Sequence, residues 1–179
     1  MQKSSVSHTL RCLCEGAILI ALAQILGYLK FWVMPAGGSV TLAMLPIAVF
    51  AWRWGLKPGL SGGFVFGLLQ LTLDGAYAWG WQSIIGDYLL AFTLLGIGGL
   101  FREKKFGLIC ALLLGAFLRF VVHWVVGALV WADLTPAAAE YTSNWLYSLA
   151  YNAPYLVLST IVCAVPALLL EKPLSKLPR

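Results

Sequence analysis

The sequence predicts an all-α integral membrane protein, a bundle of six transmembrane helices with both termini cytoplasmic. Three observations predict it. The chain of 179 residues is 61% hydrophobic and 11% charged, whereas a soluble domain carries about 25% charged residues. Its length suits about six spans of roughly 20 residues with short connections. Its charges sort by loop: Lys3, Arg11, Arg53, Lys57, Arg102, Lys104, Lys105, Lys172, Lys176 and Arg179 fall at one end of the spans. Only Lys30, with Asp74, Asp133 and Glu140, falls at the other. Basic loops stay in the cytoplasm, so both termini lie there and the number of spans is even. That bias also accounts for the net charge of +5 without a nucleic-acid partner.

The elements follow in order. Residues 1–9 are polar and read as a cytoplasmic tail. Residues 10–171 form the membrane domain and 172–179 a second cytoplasmic tail. Span one runs over about 10–31. Pro35 and the paired glycines Gly37 and Gly38 interrupt regular helix after it. Span two, about 40–52, is short. The basic turn 53–58 leads to span three, about 58–73, whose Gly59, Gly63 and Gly67 recur every four residues and predict close helix packing. An aromatic loop, 74–81, precedes span four (about 83–101). A basic turn, 102–105, precedes span five (about 107–131). The acidic loop 133–144 precedes span six (about 145–170). Cys12, Cys14, Cys110 and Cys163 show no metal spacing and read as small hydrophobes. The first apolar run lacks a cleavage site and reads as a retained span.

Span five is anomalous. Arg119, His123 and Gly127 share one helical stripe that Trp131 continues. Ionisable groups in hydrocarbon are costly and usually face a protein interior or a cavity. With the orientation set, Asp87 lies about one turn below the outer surface, and His123 and Asn152 about two. The three thus fall within roughly 6–8 Å of one another in depth. Arg119 lies a turn deeper and reads as a structural or pairing charge. On span six Ser148, Asn152, Tyr155 and Ser159 form one stripe, and Tyr147 and Tyr151 the adjacent one. The residues Tyr77, Trp79, Trp81, Trp131, Tyr141 and Trp145 gather on the outer side, as an interfacial belt or as a pocket lid. A carboxylate favours a cation, an asparagine offers donor and acceptor, and aromatic faces stack on planar rings. The ligand expected here is small, planar, aromatic and cationic, and no cofactor is expected. Each residue also has a plainer reading: Asp87 paired to Arg119, His123 a satisfied interior histidine, Asn152 a bond between helices, Glu15 snorkelling or paired to a basic residue.

At these residues the chain resembles the thiamin-specific S component of energy-coupling factor (ECF) transporters, the ThiT family. The resemblance is carried by the stretches Met34–Pro46, Asp87–Phe92, Gly96–Phe101, His123–Trp131 and Tyr147–Asn152. It implies a thiamin-binding membrane subunit without its own ATPase. It also implies that Asp87 and Asn152 engage the polar edges of the substrate. His123, Trp131 and Tyr147 would surround its rings, and Tyr77 and Tyr88 also match pocket positions; Tyr151, on the stripe of Tyr147, is a site candidate by that placement. Some relatives carry Glu at the place of Asp87, and Phe66 stands where a relative has Trp. The implied partners are a transmembrane T component, docked on Ala17 and Ala21 of span one, and a pair of cytoplasmic ATPase subunits. Packing within the bundle is the other reading of that alanine pair. Rival readings are an S component for another vitamin, a stand-alone secondary transporter, and a rhomboid-like serine protease using Ser61 and His123. Depth disfavours the protease, because Ser61 and His123 fall about 13 Å apart along the membrane normal.

Overall fold

The computed structural model describes residues 2–35, 38–75 and 78–178. Helix α1 (Gln2–Tyr28) leads into a short antiparallel pair, β1 (Trp32–Val33) and β2 (Ser39–Val40). Next come α2 (Met44–Trp54) and α3 (Leu56–Leu73). Three long helices complete the bundle: α4 (Gly80–Phe101), α5 (Gly107–Leu134) and α6 (Asn144–Ser175). Of the described helices, α1, α4, α5 and α6 are long and apolar enough to cross a membrane. Helix α2 has 11 residues, all of them buried. It is too short for a full crossing and acts as the central post of the bundle.

The glycine ridge of α3 behaves as its spacing predicts. A Cβ at Gly59 would strike the carbonyl of Gly96, and one at Gly63 or Gly67 would meet the α4 backbone near Phe92 and Tyr88. The two backbones therefore touch, which only glycine allows. Helix α4 is not uniform. It widens to a π-helix over Ile84–Leu90 and tightens to a 3-10 helix over Gly96–Phe101. Helix α5 similarly opens to a π-helix over Gly127–Trp131.

Several expected boundaries shift. Residues 2–9 are helical rather than a loose tail. They contain no Gly or Pro, and extending a formed helix costs far less than starting one; the His8 ring also lies 5.1 Å from Trp54. The expected basic turn after span two shrinks to Gly55, whose φ of 91° suits glycine. Arg53 is not a loop charge: it is 2% exposed. It pairs with Glu15 through both carboxylate oxygens and donates to the carbonyls of Leu174 (2.7 Å) and Pro178 (3.2 Å). Glu15 thus takes the paired role expected of it. This clamp joins α1, α2 and the end of α6, so both chain ends lie at one end of the bundle. Helix α5 ends in a 3-10 turn at Ala132–Leu134, and the acidic loop carries another at Pro136–Glu140. Helix α6 starts on a Ser143 cap, whose Oγ accepts the Leu146 N–H at 3.2 Å, and continues to Ser175, past the expected end at 170. Lys172 is therefore helical and not in a tail.

Candidate substrate-binding site

The π segment of α4 carries Asp87 and Tyr88 inward, and that of α5 does the same for Trp131. In an α-helix each four-residue step overshoots a full turn by about 40°, so a stripe of such steps drifts sideways. The wider π turn absorbs that drift, and π bulges are frequent at functional sites. Trp131 Nε1 donates to Asp87 Oδ2 at 2.8 Å, Ser83 Oγ to the same oxygen at 2.9 Å, and His123 Nδ1 lies 2.9 Å from Oδ1. Both side chains of the His123–Asp87 pair are nearly buried, 11% and 13% exposed. Below them Arg119 Nε donates to His123 Nε2 at 3.2 Å, and its guanidinium carbon lies 4.4 Å from the Phe92 ring centroid.

Helix α6 forms the facing wall. Asn152 Nδ2 donates to Ser148 O (2.9 Å), to Ser148 Oγ (3.2 Å) and to His123 O (3.4 Å). Tyr155 donates to Asn152 Oδ1 at 2.8 Å. Gly127 is required opposite: a Cβ there would run into Ser148 Oγ and Asn152 Nδ2. Tyr141, Tyr147, Tyr151 and Tyr155 follow one another as ring neighbours, with centroids 5.5, 6.1 and 6.3 Å apart.

These groups enclose a cavity of about 150 Å³. It is lined by Asp87, Tyr88, Phe92, Arg119, His123, Gly127, Trp131, Thr135, Tyr147, Ser148, Tyr151, Asn152 and Tyr155 from α4 to α6. Gly38, Ser39, Gln70 and Asp74 line it from the hairpin and from α3. The cavity lies at the end of the bundle opposite the chain termini. Further along α6, Ser159 Oγ donates to Ser39 O (3.3 Å) and accepts the Thr41 N–H (3.4 Å), which ties the hairpin to α6. At its edge Lys30 Nζ lies 3.2 Å from Asp74.

Seven of the eight residues expected at the site line this one cavity: Asp87, Tyr88, His123, Trp131, Tyr147, Tyr151 and Asn152. Tyr77 lies outside the described residues. Asp87 pairs with His123 and Trp131, and not with Arg119 as the plainer reading had it. Arg119 sits beneath them, as its depth implied, and still reaches the cavity. The Asn152 amide is largely engaged within the protein. Gln70, a weak signal by itself, joins the cavity lining, whereas Phe92, Asp74, Thr135 and the Gly38–Ser39 segment have no place in the expected site. Phe92 follows Tyr88 by four residues, so its helical face was a signal within reach. The hairpin residues gave none, because their place depends on a contact with α6 more than 100 residues away. Ser61 is exposed on α3 and does not line the cavity with His123.

A profile of the thiamine transporter protein family (Thia_YuaJ) matches residues 13–178. The chain belongs to this family. It is 35% identical over 173 residues to "Thiamine transporter ThiT" of Bacillus subtilis strain 168, covering 88% of each chain. It is 30% identical over 170 residues to "Thiamine transporter ThiT" of Lacticaseibacillus paracasei, covering 84% of this chain and 82% of that one. Among solved structures it is similar to ThiT from Listeria monocytogenes, with a TM-score of 0.81 and 23% identity, covering 93% of this chain and 98% of that one. It is also similar to the S component of a bacterial ECF transporter, with a TM-score of 0.63 and 16% identity, covering 93% and 96%. Like its family, the protein is a multi-pass membrane transport protein and not an enzyme.

Proposed function

We propose that this chain is the thiamin-binding S component of an ECF transporter, with residues 10–171 as its membrane domain. The observation that carries the reading is Asp87 at the wall of an aromatic cavity. A carboxylate offers about four lone-pair positions. Among the described residues His123, Trp131 and Ser83 take three, and a ligand N–H would take a fourth. The amino group of the thiamin pyrimidine supplies such a donor, and its cationic thiazolium suits the faces of Tyr88, Tyr147, Tyr151 and Trp131. Asn152 contributes the second lone pair of Oδ1. By the charge map the cavity opens in the outer half of the membrane.

The alanine pair has a place in the same reading. Ala17 and Ala21 are exposed on α1, whereas Gly16, Ala23 and Gln24 face the bundle. Packing within the bundle does not use the pair, so a flat strip is free for a transmembrane T component. That component with its two ATPase subunits would drive delivery of thiamin to the cytoplasm. Titrating purified protein with thiamin while following tryptophan fluorescence tests the reading. A saturable quench at micromolar or lower thiamin is expected, from stacking on Trp131. No saturable change, or equal binding of an unrelated vitamin, would overturn it.

A further inference from the structure

We infer that Arg119 is a positioning residue that holds His123 as the neutral imidazole protonated on Nδ1. His123 thereby donates to Asp87 and is kept from becoming a second cation in the cavity. The inference deepens the thiamin-site reading and rests on it for its ligand. Both ring nitrogens of His123 are engaged. Nε2 lies 3.2 Å from Arg119 Nε, and a guanidinium nitrogen carries hydrogen and cannot accept. Nε2 is therefore the acceptor and holds its lone pair. The single ring proton then sits on Nδ1, 2.9 Å from Asp87 Oδ1. Turning the ring over would present carbons at both contacts.

Arg119 is an unexpected neighbour for a cationic ligand, and its surroundings explain how it is tolerated. Its charge lies against the face of Phe92 at 4.4 Å, and that ring stands edge-on to His123 at 6.5 Å and to Phe66 at 5.1 Å. The guanidinium is thus held under the floor by a π face. Its Nε occupies the ring nitrogen at which His123 would take up a proton and add a positive charge beside the ligand. Without it Nε2 is free to bind a proton, and an imidazolium would neutralise Asp87 and repel a cationic ring. Arg119 in this way keeps the positive charge against Phe92 and off the imidazole that borders Asp87.

The chain has two histidines, so histidine labelled with 15N and 13C in the full chain gives two imidazole signals, and His8→Gln assigns them. The expected wild-type spectrum shows His123 neutral with the proton on Nδ1. Arg119→Met should move His123 toward the imidazolium. It should also weaken thiamin binding by at least about tenfold, and weaken binding of a neutral aminopyrimidine fragment less. Arg119→Lys, which keeps a charged donor, should restore the spectrum and most of the affinity. A wild-type His123 protonated on Nε2, or an unchanged His123 spectrum in Arg119→Met, would overturn the inference; the wild-type spectrum decides even if that variant fails to fold. If the spectra behave as expected and wild-type protein does not bind thiamin, the ligand reading falls and the role of Arg119 stands.

Discussion

The two ends of the bundle bury charge in opposite ways. At the end that holds the chain termini, Arg53 is nearly filled: Glu15 takes it with both oxygens, and the carbonyls of Leu174 in α6 and of Pro178 just beyond it take two more N–H groups. At the cavity end, Asp87 has three donors among the described residues and lines open space. The backbone differs in the same sense. Helix α4 is tight at Gly96–Phe101, where Gly96 and Gly99 touch α3 and its preceding turn, and wide at Ile84–Leu90, where it carries Asp87. A nearly filled buried charge holds elements together. One that lines a cavity is prepared for a ligand. Removing one partner of a buried pair leaves an uncompensated charge, so the two ends should fail differently when cut.

Arg53→Ala should have the largest effect, a loss of about 3–5 kcal/mol of stability. It would be read as a lower thermal transition in detergent, with thiamin affinity of the folded fraction changed by less than about threefold, as for independent distant sites. A variant that kept its stability and lost binding would break the contrast. Asp87→Ala should do the reverse, with binding weakened by about a hundredfold or more and a folded, monodisperse protein by size exclusion. Trp131→Phe keeps a ring and removes the N–H to Asp87, so calorimetry should show a loss of about tenfold, with the fluorescence quench much reduced. Lys30→Ala should have the smallest effect. The pair with Asp74 is about one-third exposed, its side chains at 33% and 26%, and such pairs contribute about 0–1 kcal/mol. A larger loss of affinity would mean that the cavity mouth takes part in binding.

Much of the site was legible because membrane burial makes polar residues conspicuous. Asp87, His123 and Asn152 stood out against hydrocarbon, and counting turns from the charged loops brought them to one depth. They meet as that count implies, with His123 bonded to Asp87 and its carbonyl reached by Asn152. The bonds themselves were not legible. The stripe through Arg119, His123 and Trp131 predicts that they share a face, yet a uniform α-helix would carry Trp131 well to one side. Only the π turn returns it to Asp87, and nothing in Gly127–Trp131 by itself calls for a π turn. Arg53 shows the opposite failure. Its neighbours read as a basic loop, whereas its partners come from Glu15 and from residues 174 and 178.

The sequence alone determined the membrane class, the orientation, the glycine ridge of α3 and the set of polar residues that had to find one another. Those follow from one-body costs, because a charge in hydrocarbon or a glycine every four residues has the same meaning whatever surrounds it. Only the tertiary structure decided that Asp87 takes His123 and Trp131 instead of Arg119, that Asn152 is mostly engaged inside the protein, and that Ala17 and Ala21 face outward. Those depend on which groups come within hydrogen-bond reach across helices, and changes of a few degrees per residue in α4 and α5 set that distance.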